Sequence, residues 1–211
     1  MSNVALKHGG TIDKFVGDAI LIFFGDPETK GDAEDAKSCL RMATEMQHRL
    51  AELHMKWRNA GVEQPFRTRI GINTGFCNVG NFGSVDRMDY TIQGAEVNLA
   101  ARLQSIAEPG HIVISYETYA LVRDILVAHP LPPITMKGLS REVVPYAVAG
   151  MLDETGQKVE VLSEHMAGLD FYLNPSMVHS GSAERIRALL QDAISVLDKY
   201  RAPPIAGAGR S

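Results

Sequence analysis

The sequence has few cysteines and no long hydrophobic run. Its 211 residues include only 2 cysteines, Cys39 and Cys77, which excludes a disulfide framework and a cysteine-based zinc site. The longest apolar stretch, Ala19–Gly25, has the length of a strand and falls far short of the ~18 residues that would span a bilayer. The N-terminus lacks the charged and then apolar pattern of a signal peptide. We therefore expect a reducing, cytoplasmic setting, with any membrane contact made only through a possible upstream domain.

No strong charge of either sign is present. The chain has 21 Lys and Arg against 25 Asp and Glu, which gives a net charge of −4. Neither the first 150 residues nor the remainder is basic enough for a general nucleic-acid binder, so we expect no nucleic-acid partner. Hydrophobic residues make up 45% and charged residues 22% of the chain, the balance of a globular protein with a sizeable core.

Several common catalytic and nucleotide-binding signatures are also absent. The sequence contains no GxxxxGK(S/T) phosphate loop, no GxGxxG dinucleotide fingerprint and no GxSxG nucleophile elbow. The histidines are scattered, and no His or Cys pair has the spacing of a zinc site. A P-loop enzyme, a Rossmann dehydrogenase and an α/β-hydrolase are therefore disfavoured.

The residues that are present indicate one α+β unit over residues 1–150 and a C-terminal extension over residues 151–211. The clearest helix of the first unit is Asp32–Ala60, where apolar residues recur every three or four positions. Many links between predicted strands are short, so the sheet is expected to be mostly antiparallel. The extension is predicted to contain a linker, an amphipathic helix over Ser182–Tyr200 and a disordered tail after Ala202.

The remaining elements of the first unit alternate between strands and helices. A hairpin with its tip at Gly17–Asp18 is predicted to join strands at Thr11–Val16 and Ala19–Phe24. The other predictions are a helix ending at Lys7, helices at Val97–Ala107 and Glu117–Leu126, a glycine-rich hairpin over Thr74–Arg87, and strands at Arg67–Asn73, Tyr90–Ile92, His111–Ser115, Ile134–Lys137 and Val143–Ala149.

The predicted hairpin tip carries a candidate metal ligand. Asp18 follows a glycine at the tip, where a carboxylate reaches out from the edge of a sheet. Hard cations such as Mg²⁺ prefer one or two carboxylates together with substrate phosphates. The alternative is that Gly17–Asp18 is only a turn pair, because both residue types favour turns.

A second candidate site lies on the predicted helix Val97–Ala107. Asn98 and Arg102 are four positions apart, so both side chains lie on one helix face. Arginine is well suited to clamp a phosphoryl group as charge develops on it. The alternative is an ordinary exposed arginine. Thr91 lies just before this helix, at the end of a short predicted strand, which is a usual place for ligand contacts.

Four segments occur together in a specific order. They are GGTIDKFVGDAILIFFG, RIGINTGFCNVGNFGSVDRMDYTIQGAEVNLAARLQ, HIVIS and MKGLSREVVPYAV. Over roughly residues 1–150 this combination resembles the class III adenylyl cyclase catalytic domain in its bacterial form. The resemblance implies an α+β, ferredoxin-like nucleotidyl cyclase fold that converts ATP to 3′,5′-cyclic AMP and pyrophosphate. It also implies two Mg²⁺ or Mn²⁺ ions per active site, with each site formed at the interface of a head-to-tail homodimer.

The resemblance assigns roles to individual residues. Asp18 matches the second metal-binding aspartate of the family, and Lys14 matches the lysine that reads adenine. Thr91 stands where many members have Asp and one bacterial subgroup has Thr. Lys14 together with Thr91 therefore resembles the adenine-reading pair of that subgroup, which favours ATP over GTP. Asn98 matches the residue that orients the ribose, and Arg102 matches the residue that stabilises the α-phosphate. Lys137 lies near the loop that supplies a triphosphate-binding lysine, and Arg141 is its rival for that role.

One family segment has no counterpart in this sequence. The strand that carries the first metal-binding aspartate, usually within a phrase like FxDIxGFT, is absent. A two-metal site holds its ions ~3.5–4 Å apart, and a single carboxylate is a poor ligand for two dications. We therefore expect either a chain whose start is internal to a longer protein or a shortened product with impaired catalysis. The rival functions are a catalytically inactive, cyclase-like nucleotide-binding or regulatory module, and a diguanylate cyclase, which the absence of a GG(D/E)EF stretch disfavours.

Overall fold

The structure is a computed structural model that describes residues 1–62, 66–135, 142–152, 156, 158–159, 162–166, 169–173, 178 and 180–199. The chain divides into two compact units, Met1–Glu160 and Val161–Ser211. None of the helices in this described part combines the length and the hydropathy that a membrane span requires.

The first unit contains four helices and nine strands among its described residues. The helices are α1 (Ser2–Lys7), α2 (Asp32–Asn59), α3 (Ala95–Ile106) and α4 (Tyr116–Val122). The strands are β1 (Thr11–Val16), β2 (Ala19–Phe23), β3 (Ile70–Ile72), β4 (Asn78–Ser84), β5 (Arg87–Gln93), β6 (Ile112–Ile114), β7 (Leu126–Pro130), β8 (Tyr146–Leu152) and β9 (Lys158–Val159).

A five-stranded sheet is the centre of this unit. Its strands are ordered β3-β6-β8-β7, and β9 pairs with the end of β8. Only β3 and β6 are parallel, and the other described pairs of this sheet are antiparallel. The parallel pair follows from the connection between the two strands, because a hairpin and helix α3 lie between β3 and β6 and allow the chain to cross over. The predicted α+β, mostly antiparallel architecture is confirmed.

The two faces of this sheet are covered by different helices. Strand β6 shows this directly, because Ile112 and Ile114 belong to one buried cluster and Val113 belongs to another. Neighbouring residues of a strand point to opposite faces. On one face the buried partners are Ala36, Leu40 and Ala43 of α2 with Val122 of α4. On the other face they are Leu99 and Leu103 of α3.

Two hairpins lie apart from this sheet. Strands β1 and β2 pair antiparallel, and β4 pairs with β5, so that each hairpin is a two-stranded sheet of its own within the described residues. The turn between β1 and β2 is Gly17–Asp18, as predicted. Gly17 has a φ of 62°, a left-handed conformation that glycine adopts without steric strain.

The described C-terminal part of the first unit differs from the predictions. A helix was predicted over Glu117–Leu126, but the observed helix ends at Val122. Leu126 instead begins strand β7, which we did not predict. Strand β7 forms because β8 supplies its hydrogen-bonding partner, a long-range contact that local sequence does not encode. Ile134 and Val143 form an isolated bridge rather than two paired strands, and β8 begins only at Tyr146.

The second unit contains a hairpin and a helix. The hairpin pairs β10 (Leu162–Met166) with β11 (Leu169–Leu173), and we did not predict these strands. The helix α5 (Ser180–Lys199) begins two residues before the predicted Ser182. Several of its apolar side chains are exposed, among them Leu189 and Leu197. The predicted disordered tail lies outside the described residues.

A close backbone approach places helix α3 on the central sheet. Gly71 in β3 lies directly beneath α3, and a Cβ atom at this position would clash with the backbone nitrogen of Gln104 and the carbonyl oxygen of Ala100. The side chain of Asn73, just after β3, donates a hydrogen bond of 3.0 Å to the carbonyl oxygen of Glu96 and one of 2.7 Å to its carboxylate. These contacts fix α3 at both its first and its third turn.

We expect Gly71→Ala to destabilise the protein because its methyl group forces α3 away from β3. The expected loss in the free energy of unfolding is ~1–3 kcal/mol, the usual effect of overpacking. Urea denaturation followed by circular dichroism measures it. Gly80→Ala is the matched control, because nothing lies within 4 Å of an added Cβ there. Equal stability of the two variants would contradict this account of α3 placement.

Candidate functional site

The structure brings Lys14 and Thr91 into direct contact. Lys14 lies on β1 and Thr91 on β5, 77 positions apart in the sequence. The Lys14 ammonium donates a hydrogen bond of 2.8 Å to the Thr91 hydroxyl oxygen. Thr91 is buried, whereas about half of the Lys14 side chain, 49%, is exposed. A fixed hydroxyl therefore lies next to an ammonium group that still faces solvent.

A third residue, Asp13, completes this cluster. The Thr91 hydroxyl donates a hydrogen bond of 2.9 Å to the Asp13 carboxylate. The same carboxylate oxygen lies 3.6 Å from the Lys14 ammonium, within ion-pair distance. Only 1% of the Asp13 side chain is exposed. A buried carboxylate needs such partners, because burial of an unpaired charge is strongly unfavourable.

An irregularity in β1 explains how two consecutive residues reach the same threonine. In the β1–β2 ladder Ile12 pairs with Ile22 and Lys14 pairs with Leu21, so Asp13 has no partner of its own. This is a β-bulge, in which an extra residue disturbs the usual alternation and redirects side chains. Asp13 and Lys14 therefore both reach Thr91 instead of pointing to opposite faces of the hairpin.

A second side-chain contact holds the same two hairpins together. The Tyr90 hydroxyl donates a hydrogen bond to the Asp26 carboxylate, in the loop that follows β2. This hydrogen bond raises the pKa of the Tyr90 hydroxyl. The Thr11 hydroxyl donates to the Asp26 carbonyl oxygen at 2.7 Å. Strand β5 is thus tied to the β1–β2 hairpin through Thr91, and to the loop after β2 through Tyr90.

Asn98 and Arg102 lie together on the exposed face of α3. The opposite face of the helix buries Leu99 and Leu103 in the core. In the described chain, no hydrogen bond or ion pair engages the side chain of either Asn98 or Arg102. The two side chains are therefore available to a ligand, and the i, i+4 spacing lets them act on one group.

Asp18 lies exposed in the turn between β1 and β2. Across residues 1–62 and the other described ranges, no group of three or more His, Cys, Asp or Glu residues is placed to hold a metal ion. Asp18 is thus a single hard oxygen ligand at a turn, not part of a complete metal site within the described residues.

Comparison with known proteins identifies the family. Residues 4–150 match the adenylate and guanylate cyclase catalytic domain. The adenylyl cyclase CyaB from P. aeruginosa is 51% identical, with a TM-score of 0.68 over 70% of this chain and 76% of that chain. The guanylyl cyclase Cya2 is 37% identical, with a TM-score of 0.67 over 75% of this chain and 79% of that one.

The chain belongs to the class III nucleotidyl cyclases. Adenylate cyclase 1 of Rhizobium meliloti is 32% identical over 153 residues, which are 72% of this chain but only 23% of that protein. A Dictyostelium discoideum adenylate cyclase specific to terminal differentiation is 32% identical over 78% of this chain and 8% of its own length. The chain therefore spans less than a quarter of these curated relatives. Its nucleotidyl cyclase fold, expected from the motifs, is confirmed.

The structure of this cyclase domain shows which predicted site residues come together. Lys14 and Thr91 touch, and Asn98 and Arg102 share one helix face. Asp18 is on the same hairpin as Lys14 but lies at its turn. Lys137 and its rival Arg141 lie outside the described residues, and their roles stay predictions.

Sequence reasoning missed Asp13, Tyr90 and Asp26 as parts of this site. Regular alternation along a strand would place Asp13 and Lys14 on opposite faces, so the sequence alone does not bring Asp13 to Thr91. No local signal marks the Tyr90–Asp26 contact, because 64 positions separate the two residues. A β-bulge in β1 would have been the signal for Asp13, and it becomes visible only in the register with β2.

Proposed function

We propose that this cyclase domain acts on ATP and forms 3′,5′-cyclic AMP and pyrophosphate. The observation that carries the proposal is the 2.8 Å hydrogen bond from Lys14 to Thr91, which presents a donor next to an acceptor. The similarity to an adenylyl cyclase structure at 51% identity supports the same choice of substrate. The cytoplasm, where ATP is available, is the compartment that the proposal implies.

Adenine fits the Lys14–Thr91 pair through its hydrogen-bonding edge. Adenine presents an acceptor at N1 and a donor at its exocyclic amine, so Lys14 donates to N1 and Thr91 accepts from the amine. Guanine presents the reverse pattern at these positions. It would leave polar groups unpaired, at a cost of ~1–3 kcal/mol for each group.

Asn98 and Arg102 act on the ribose and the phosphates in this proposal. The 3′-hydroxyl oxygen attacks the α-phosphorus as its proton passes to solvent water, while the bond from the α-phosphorus to the bridging oxygen breaks and pyrophosphate leaves with that oxygen. Arg102 donates to the α-phosphate oxygens as their charge increases, and Asn98 orients the ribose. Both side chains are exposed on the face of α3 that is turned away from the core. Preorganised donors of this kind supply much of the acceleration in such reactions.

The metal requirement fits the described residues only in part. The family resemblance implies two Mg²⁺ or Mn²⁺ ions, and the exposed Asp18 carboxylate is the ligand type that these ions prefer. Among the described residues, no group of three or more His, Cys, Asp or Glu side chains is placed to hold a metal ion. A two-metal site is therefore not complete within them, and we derive no step of the reaction through a metal ion.

A homodimer is part of the proposal because Lys14 and Asp18 have separate tasks on one hairpin. Lys14 is engaged with Thr91 of its own chain, whereas Asp18 projects from the turn. Phe15 and Val16, between them, are exposed large hydrophobic residues. Exposed apolar surface next to polar groups is typical of an interface. In a two-fold dimer each site takes Asp18 from one subunit and the remaining residues from the other.

The second candidate function is a nucleotide-binding or regulatory module without catalysis. The lack of a complete metal site among the described residues favours it. The paired Asn98 and Arg102 favour the enzyme, because a module that only binds nucleotide does not need a group that stabilises the transition state. Sustained formation of cyclic AMP from ATP and Mn²⁺ distinguishes the two candidates.

We expect Lys14→Met to weaken the preference for ATP over GTP by about tenfold, the effect of losing one hydrogen bond of ~1.4 kcal/mol. Methionine keeps the length of the side chain but cannot donate to adenine N1. Dissociation constants of both nucleotides, measured by calorimetry, give the ratio. Lys30→Met is the control, because Lys30 is an exposed lysine after β2. An unchanged ratio in Lys14→Met would remove Lys14 from base recognition.

Arg102→Ala should lower kcat by ~10²-fold or more, with a much smaller change in KM for ATP, because its donor acts mainly in the transition state. Cyclic AMP formation with Mn²⁺, followed at high enzyme concentration, measures both constants. The control is Arg123→Ala, at the exposed end of α4. A large rise in KM with kcat intact would instead assign Arg102 to binding of the ground state.

Two inactive variants should restore activity when combined. Lys14→Ala retains Asp18 and Asp18→Ala retains Lys14, so a heterodimer contains one complete pairing of the two residues across its interface. Differently tagged chains are co-expressed, the heterodimer is isolated and cyclic AMP is measured. The control is a dimer of two differently tagged Lys14→Ala chains, which should stay inactive. Absence of complementation in an isolated heterodimer would contradict a site shared between subunits.

A further inference from the structure

We propose that Asp13 is a positioning residue that determines base selectivity by fixing the direction of the Thr91 hydroxyl. The inference rests on the proposed recognition of adenine by Lys14 and Thr91 and adds a third residue to it. Asp13 is placed not to touch the base itself but to act through Thr91, whose hydroxyl donates to it at 2.9 Å.

A threonine hydroxyl alone discriminates poorly between adenine and guanine. It has one proton and two lone pairs, so it can accept from the amine of adenine or rotate and donate to the carbonyl oxygen of guanine. The orientation of its proton therefore decides which base it fits. In a Lys–Thr pair without a third residue, only the lysine is restricted to one role, that of a hydrogen-bond donor.

Asp13 removes this ambiguity because an ionised carboxylate only accepts hydrogen bonds. The Lys14 ammonium, 3.6 Å from the same carboxylate oxygen, supplies the opposite charge. The Thr91 hydroxyl donates its single proton to Asp13, and its oxygen accepts a hydrogen bond of 2.8 Å from Lys14. Its remaining lone pair can only accept, which suits the amine of adenine and rejects the carbonyl oxygen of guanine.

Burial makes this orientation stable. The Asp13 side chain is 1% exposed and Thr91 is 4% exposed, so water does not compete well for either group. If Thr91 rotated to donate elsewhere, the Asp13 carboxylate would lose its closest described donor in a buried position, which is unfavourable. The bulge in β1 is the backbone feature that directs Asp13 to this point.

The test is the ratio of dissociation constants for the α,β-methylene analogues of ATP and GTP, measured by calorimetry with Mg²⁺. Asp13→Asn is nearly isosteric, and its amide can donate to Thr91 and free the hydroxyl proton. The preference for the ATP analogue is expected to fall about tenfold. Asp86→Asn, in the exposed turn of the β4–β5 hairpin, removes the same charge and should leave the ratio unchanged.

Two further variants separate orientation of the hydroxyl from a general structural role. In a Thr91→Val background no hydroxyl remains to be oriented, so adding Asp13→Asn should not change the ratio further. The double variant Asp13→Asn with Thr91→Asp places an acceptor-only group directly at position 91 and should restore the preference to within about threefold of the wild type. A merely structural Asp13 would show its effect in both backgrounds and would not be rescued.

The outcomes distinguish the two proposals. A wild-type chain without preference for the ATP analogue would overturn adenine recognition and this inference with it. A wild-type preference that persists in Asp13→Asn would overturn only the role of Asp13. Should Asp13→Asn lose the wild-type circular dichroism spectrum, Asp13→Ser serves instead, because its hydroxyl also allows Thr91 to rotate, and the same fall in the ratio is expected.

Discussion

The contact of Lys14 and Asp13 with Thr91 is the interaction on which the site depends. The β1–β2 and β4–β5 hairpins are separate two-stranded sheets among the described residues, so no backbone ladder holds one against the other. Side chains do this instead, through the Asp13–Thr91–Lys14 cluster and the Tyr90–Asp26 hydrogen bond. The groups that we propose to present a donor and an acceptor to a base are thus the same groups that join the two hairpins.

The central sheet provides the second half of the site by a different principle. Helix α3 is held by apolar burial of Leu99 and Leu103 and by its backbone contact with Gly71, both of which are independent of any ligand. The exposed face of α3 can therefore carry Asn98 and Arg102 without a structural task. The groups proposed for recognition thus lie in a polar network that joins two hairpins, and the groups proposed for chemistry lie on a helix packed against the central sheet.

Much of the fold was predictable because it depends on local pattern. The apolar stripe of α2, the hairpin turn at Gly17–Asp18 and the extent of β1 follow from periodicity and turn chemistry, and the structure confirms them. Strand β7 was missed, because Leu126–Pro130 becomes a strand only through its pairing with β8. The hairpin of β10 and β11 was missed for the same reason, since each strand depends on the other.

The sequence by itself determined the family, because its motifs occur in a fixed order. It also proposed Lys14, Thr91, Asn98 and Arg102 as site residues, because their residue types suit nucleotide chemistry. The tertiary structure decided which of these groups meet. The hydrogen bond between Lys14 and Thr91 spans 77 positions and exists only when two hairpins pack together. The position of Asp13 depends on a one-residue irregularity in the register of β1 with β2. Register depends on how two strands pair, so the sequence of neither strand determines it alone.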